Sequence, residues 1–322
     1  MAVKMILDCD TGVDDTMAIL YAALHPDIDL LGVGAVWGNV DVETATRNSL
    51  HTLQMVNRKD IPVARGTAQP LSGRETYFAS FVHGDDGQGN AYDDAPVGPA
   101  AEKNAVQQII DLVHTYPGEV WLVPVGPLTN IASALALDPD LPRLVRGVSL
   151  MGGAALAPGN VTPVAEANIG HDAEAASAVF RAPWPIIMCG LDATMKVLIT
   201  PERRKTLDAG GVVSQYLSRI MEFYGEYIGS SSFGQWTATM HDTIAVAAAA
   251  GTVNIKRSAC VNVDVDSSGG LGHGQTICDL RGIYAGIQAQ PGAHTTVLLD
   301  VDDSIADDAL ELIANFRQPG EV

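Results

Sequence analysis

Apolar stretches of strand length alternate along this chain with amphipathic stretches of helix length, and that alternation constrains the fold more than any other feature. Val3 to Leu7, Asp29 to Val36, Val120 to Val125, Gly147 to Met151 and Pro185 to Cys189 read as buried strands. Asp14 to His25, Val42 to Val56, Ala105 to Tyr116, Leu128 to Leu137 and Ala173 to Phe180 carry helical periodicity between them. Strand–helix–strand order of this kind predicts an α/β protein with a mainly parallel open sheet, flanked by helices on both faces through right-handed crossovers. Ligands of such sheets gather beyond the carboxyl ends of the strands, at a topological switch point. After Thr200 the rhythm changes. Pro201 to Tyr227 reads as helix in two pieces broken at Gly210-Gly211, and His241 to Ala250 as a further helix. Lys256 to Val265 and His294 to Val301 read as strands around a glycine-rich turn, and Asp302 to Phe316 as a closing helix. No repeat, low-complexity tract or linker divides the chain, so residues 1–322 are expected to form a single domain. Arg65 to Ala101 shows no clear period, and loops of that length serve as lids or binding loops.

The charge balance narrows the partners. Against 19 Lys and Arg stand 38 Asp and Glu, a formal charge of -19. A surface so acidic repels phosphate backbones and anionic lipids, which argues against nucleic-acid and membrane partners and suits cations and neutral polar ligands. Cys9, Cys189, Cys260 and Cys278 stand far apart without a CxxC pair, the usage of a reducing compartment. The opening MAVKMILDCDTG leaves no room for a signal peptide and no apolar run is long enough to span a bilayer, so a cytoplasmic location is expected.

The sharpest chemical feature lies at the first strand-to-helix turn. Ile6 and Leu7 deliver Asp8, Asp10, Asp14 and Asp15 into eight consecutive positions. Like charges crowded at one turn destabilise it unless something positive sits among them, and a hard divalent cation is the natural remedy because Ca²⁺ and Mg²⁺ prefer carboxylate and carbonyl oxygens. Helix capping and the helix dipole account for one of these acids, or two, but not four. Asp8, one strand period before Asp10, is expected to support Asp10 or a nearby loop from behind. Later, His241-Asp242 opens a helix, where an acid is ordinary. Gly159-Asn160 followed by Glu166-Ala167-Asn168 places two amides and a carboxylate in a non-periodic stretch, a set suited to sugar hydroxyls and also common in plain loops. The acids Asp302, Asp303, Asp307 and Asp308 crowd the start of the last helix, and Asp93 and Asp94 sit in the long loop; both groups read as solvated.

Taken in order, DCDTGVDD, Gly38-Asn39-Val40, Val82-His83-Gly84-Asp85-Asp86-Gly87, Val125-Gly126-Pro127-Leu128-Thr129-Asn130, Met151-Gly152-Gly153, Glu166-Ala167-Asn168 and His241-Asp242 resemble the nucleoside hydrolase family, in particular its inosine- and uridine-preferring type. The resemblance runs from Met5 to about Ala250. It implies one Ca²⁺ held by Asp10, Asp15, Asp242 and the carbonyl of Val125, where relatives often carry Thr. It implies sugar contacts from Asp14, Asn39, Met151, Asn160, Glu166 and Asn168, with His83 on a loop that closes over the nucleoside. Tyr224, Tyr227 and Trp236 are expected to flank the base. Family members are commonly dimers or tetramers, so a homodimer or homotetramer is expected.

The implied reaction is hydrolysis of the N-glycosidic bond through an oxocarbenium-like ribosyl cation, which a carboxylate-lined site stabilises more than the neutral substrate. Asp10 is the candidate base that takes a proton as water attacks C1′, and His241 the candidate acid that protonates the leaving base. His241 favours pyrimidine nucleosides and inosine over a purine-only preference. Trp37 reads either as core packing or as a base-side wall, and Ala167 stands where a bulky aromatic is common, which loosens the 5′ side of the pocket. Two other readings compete. A haloacid-dehalogenase-like phosphatase would use Asp8 as nucleophile with Mg²⁺, but leaves Asn160, Glu166, Asn168 and His241 idle. A nucleoside- or ribose-binding protein without turnover would need the sugar pocket but not the base, acid and metal together.

Overall fold

The computed structural model describes residues 2–321 apart from 284, 287 and 289. In chain order the strands of the first half are β1 (Val3–Cys9), β2 (Ile28–Ala35), β3 (Val63–Arg65), β4 (Trp121–Pro124), β5 (Gly147–Met151) and β6 (Ile186–Cys189). They are followed by β7 (Leu198–Ile199), β8 (Ala238–Thr239), β9 (Ile255–Val261), β10 (Val263–Val265), β11 (Thr276–Cys278) and β12 (Thr295–Val301). Eight of them form one sheet in the order β3-β2-β1-β4-β5-β6-β12-β9, parallel throughout except for the β12–β9 pair at its edge.

Burial on both faces explains why β1 is a near-continuous apolar run. Met5, Leu7 and Cys9 enter a core shared with the helices Val13–Leu24, Val212–Ile228 and Asp242–Ala250. Ile6 enters the opposite core, with the helices Ala105–Thr115, Thr129–Leu137 and Ala173–Arg181. Each such side chain is worth about 1.5–3 kcal/mol when buried, and a one-residue slip of β1 would send every one of them to the wrong face. The winding sets the site. β2 and β3 lie on one side of β1 and β4 to β6 on the other, so the winding of the chain across the sheet reverses between β1 and β4. Asp10 follows the end of β1 and Val125 the end of β4, directly at that switch point.

Most of the expected elements form within a residue or two of their expected limits. The run Lys256 to Val265 does not form one strand: it divides at Asn262, β9 pairing with β12 and β10 with β11 around the glycine-rich turn. Strands β3, β7, β8 and β11 are two or three residues long and too short to show a period. The helix after Gly211 runs from Val212 to Ile228 and continues as a wide π-helical turn, Gly229–Phe233. No helix among the described residues is long and apolar enough to cross a membrane.

Candidate active site

A cavity of about 550 Å³ opens at the switch point. Its floor comes from the turn after β1. Asp10 is buried, its Oδ2 accepting from the Asn39 amide N–H at 2.6 Å. Gly38 is obligatory beside it, since a Cβ there would lie 2.1 Å from that oxygen. Asp15, in the first turn of Val13–Leu24, turns back: its Oδ2 accepts from the Gly12 N–H at 2.9 Å and from the Asn39 side-chain amide at 3.1 Å. The helix therefore uses Asp15 as its cap, while Asp14 beside it lines the cavity. Asp242 comes from the opposite helix, Asp242–Ala250, and its carboxylate approaches those of Asp14 and Asp15, oxygens of all three lying within 4.8 Å of one another.

Among the described residues the one basic group paired with these acids is His83, 3.8 Å from Asp14, and burial keeps it neutral. Asp10 Oδ1 and Asp15 Oδ1 are buried and accept no hydrogen bond. Burial, then the charge of Asp15, raises the Asp10 carboxyl well above the ordinary range; burial, then Asp14, Asp15 and Asp10, does the same to Asp242. Asp14 is pushed up to about 8 and Asp15 to about 6, burial leading in both. Buried oxygens without donors, on acids that repel one another, fit a hard divalent cation. Asp14, expected on the ribose hydroxyls, belongs to the same acidic group. The Val125 carbonyl at the end of β4 accepts from the Asn168 side-chain amide at 2.7 Å, as does the Met151 carbonyl at 3.0 Å, so Asn168 ties the ends of β4 and β5 together.

Glu166 caps the short helix Ala167–His171. Its Oε1 accepts from the Asn168 N–H at 2.9 Å, and its Oε2 from the Gly153 N–H at 2.9 Å and the Ile169 N–H at 3.2 Å. Burial raises its pKa while those amides hold it down. Asn160, exposed at the rim, accepts from the Ala167 N–H at 2.9 Å, which leaves its amide group for a ligand. At the other end, His241 sits between two threonine hydroxyls, Thr194 Oγ1 2.7 Å from Nδ1 and Thr239 Oγ1 2.8 Å from Nε2. The Thr239 hydroxyl continues to the Tyr224 hydroxyl at 3.0 Å. Burial lowers the His241 pKa to about 4.

His83 is held at its ring by two neighbours. It lies on the one-turn helix Ser80–His83, its Nδ1 accepts the Val13 N–H at 3.2 Å, and its ring stacks on Tyr224 at 5.4 Å. Gly12 allows this approach, because a Cβ there would come 2.5 Å from Nδ1. Burial, then His241, lowers the His83 pKa to about 3. The loop beyond it is anchored by Asp86, whose carboxylate accepts the N–H groups of Gln88, Asn90 and Tyr92.

One sequence assignment changes. Trp236 does not reach the cavity: its indole packs over Gly225 and beneath Arg204, with Nε1 donating to the Glu222 carbonyl at 3.3 Å. The π-helical turn Gly229–Phe233 carries Ser231 and Ser232 to the rim in its place, beside Tyr227 and Ile228. Of the two readings open for Trp37 the structure takes core packing: it is buried, with Nε1 donating to Thr129 Oγ1 at 3.3 Å. Asp8 is also away from the cavity. Its Oδ1 accepts from the Asn130 side chain at 2.9 Å, and Asn130 also holds the Ala35 carbonyl and accepts from the Thr67 N–H, so Asp8 supports the loop after β2. A phosphatase reading with Asp8 as nucleophile has no place to act. Three residues of the wall had no sequence signal: Tyr77, Phe81 and His171, each on a stretch too short or irregular for a period.

Residues 5–308 match the family described as inosine-uridine preferring nucleoside hydrolase. A probable uridine nucleosidase 2 of Arabidopsis thaliana is 41% identical over 226 residues, 70% of each chain. The pyrimidine-specific ribonucleoside hydrolase RihB of Escherichia coli O157:H7 is 37% identical over 300 residues, 93% of each chain. Among solved structures, the plant nucleoside hydrolase PpNRh1 superposes with a TM-score of 0.89 at 32% identity, covering 98% of this chain and 100% of its own. A purine-preferring ribonucleoside hydrolase from Gardnerella vaginalis gives 0.86 at 31%, covering 97% and 98%. With nearly the whole length matched in sequence and in structure, this chain belongs to the inosine-uridine preferring nucleoside hydrolases.

Proposed function

We propose that this protein is a Ca²⁺-dependent ribonucleoside hydrolase, releasing ribose and a free base from pyrimidine nucleosides and inosine. The observation that carries the proposal is the pair of orphaned buried oxygens, Asp10 Oδ1 and Asp15 Oδ1, beside Asp14 and Asp242. Asp10, Asp15, Asp242 and the Val125 carbonyl would hold the ion, which when bound lowers the pKa of a coordinated water and attracts the ribose 2′- and 3′-hydroxyls.

The remaining steps belong to the protein. Asn39 holds Asp10 by one oxygen, leaving Oδ1 to take a proton from water as it attacks C1′. Asp14, Asn160, Glu166 and Asn168 orient the sugar hydroxyls, and the fixed carboxylates favour the positive charge that grows on the ribosyl ring. His241 is neutral in its buried setting. As negative charge develops on the departing base, the proton affinity of His241 rises, so it takes a proton from solvent, passes it to the base nitrogen and returns to the neutral form. The hydroxyls of Thr239 and Tyr224 extend its reach along the cavity wall. The pyrimidine preference draws on the Arabidopsis and Escherichia relatives named above. A non-catalytic binding protein would have no use for an orphaned Asp10 Oδ1 together with a buried His241 on the same cavity.

Ribose release from uridine, cytidine, inosine and adenosine, before and after chelation and with Ca²⁺ restored, tests the proposal. Release that vanishes on chelation and returns with Ca²⁺ is the expected outcome. No release from any nucleoside by folded, Ca²⁺-loaded protein overturns it.

A further inference from the structure

Ala167 lines the active-site cavity. Past it lies His171, its ring stacked on Tyr77 with centroids 4.6 Å apart. His171 Nδ1 donates to the Ala167 carbonyl at 2.6 Å, which leaves Nε2 as an acceptor, and Nε2 is buried without a partner. Tyr77, Val161 and His171 line the active-site cavity and also a second one of about 220 Å³, far more than the ~30 Å³ share of a single water. Tyr224, Tyr227 and His241 line only the first. The second chamber therefore adjoins the end of the pocket remote from His241.

Ribose geometry relates that end to one carbon. C1′ and C4′ flank the ring oxygen, so a sugar with its diol on the acidic group and its base toward His241 sends C5′ away from His241, toward Asn160, Glu166 and Ala167. We propose that the second chamber is a 5′ subsite, taking nucleosides whose C5′ bears an uncharged, largely apolar substituent tipped with an O–H or N–H donor for His171 Nε2. The proposal rests on the nucleoside hydrolase reading above. A 5′-phosphate does not suit the chamber: the Arg74 guanidinium is already engaged by Glu174 at 3.3 Å and by His273 Nε2 at 2.9 Å, and Glu75 lines the same wall.

The test compares kcat/KM for uracil release by the Ca²⁺-loaded protein from uridine, 5′-hydroxyethylthio-5′-deoxyuridine, 5′-propylthio-5′-deoxyuridine and uridine 5′-monophosphate. The hydroxyethylthio compound is expected within about tenfold of uridine and the monophosphate at least about a hundredfold below it, the range over which pocket contacts discriminate. Ala167→Phe, which puts a ring on the cavity wall beside His171, should lower the hydroxyethylthio-to-uridine ratio about tenfold or more. His171→Phe keeps the stack on Tyr77 and should lower the hydroxyethylthio ratio but not the propylthio ratio. Turnover of uridine with loss of both thioethers overturns the subsite alone, and a monophosphate that matches the hydroxyethylthio compound overturns its stated chemistry. Failure of all four substrates overturns the subsite together with the hydrolase reading.

Discussion

Asp10→Asn should make the metal-free protein more stable and the Ca²⁺-loaded protein less so. In the variant, the carboxamide oxygen still accepts the Asn39 N–H that Asp10 receives at 2.6 Å, so the local backbone is kept. The new NH₂ replaces Oδ1, an oxygen with no donor, and meets Asp15, the strongest charged neighbour of Asp10. One repulsion is removed and one hydrogen bond gained, worth about 1 kcal/mol together. Ca²⁺ at a hundred times its dissociation constant stabilises the wild type by about 2.7 kcal/mol. At ~2 °C per kcal/mol for a chain of this size, that is a rise of about 5 °C in Tm. The variant, short of one anionic ligand, should rise by no more than ~1 °C at the same Ca²⁺ concentration, since ligand charge sets affinity. Differential scanning calorimetry of both proteins, in chelator and in Ca²⁺, reads all four values. A variant less stable than wild type in chelator, or one that gains as much from Ca²⁺, would refute the idea that these acids are a strained, metal-seeking set.

The same acids give the metal-free protein a pH dependence. A carboxyl whose folded pKa is raised costs stability as pH climbs through it, whereas the buried histidines, with lowered values, cost stability only below about 6.5. Between pH 6.5 and about 8 the histidines are neutral in both states while Asp14 ionises, so urea-unfolding free energy in chelator should fall over that window and the fall should flatten in Ca²⁺. His241→Ala should slow inosine hydrolysis by about 10²–10⁴-fold and leave a nitrophenyl riboside, whose leaving group needs no proton, far less affected; equal losses would remove His241 from the acid role. Trp236→Ala should leave KM for nucleosides within about twofold, as for substitutions remote from a site, and a large rise would return the indole to the pocket. Asp192 accepts the N–H groups of Ala155, Leu156 and Ala157 at 2.7–3.0 Å, so Asp192→Asn strands the Ala155 donor and should cost about 1–3 kcal/mol in urea unfolding at unchanged m-value. A loss below experimental error would mean that those N–H groups find water instead.

What could be read from the sequence, and what could not, divides along one physical line. β1 and its acids were legible because both signals are local: an apolar run needs no partner to show its period, and four acids in eight residues conflict with one another wherever they fold. His241 and Asp242 were legible only as part of an ordered set of motifs, since alone they are the ordinary start of a helix. Trp236 was misplaced because its position depends on a π-helical turn, one extra residue per turn that no periodicity of Gly229–Phe233 announces. The anchoring of His83 leaves no local trace, because the Val13 N–H that its Nδ1 accepts belongs to a helix seventy residues away. Asp192 was invisible for the opposite reason to the acid cluster: its three partners satisfy it fully, and they lie 35 to 37 residues distant. A group that the fold satisfies shows no local conflict. A group that the fold leaves unsatisfied is where a ligand has energy to gain, and the Asp10 and Asp15 oxygens, behind the cavity-lining Asp14 and Asp242, and His171 Nε2, in the wall shared with the second chamber, are in that position.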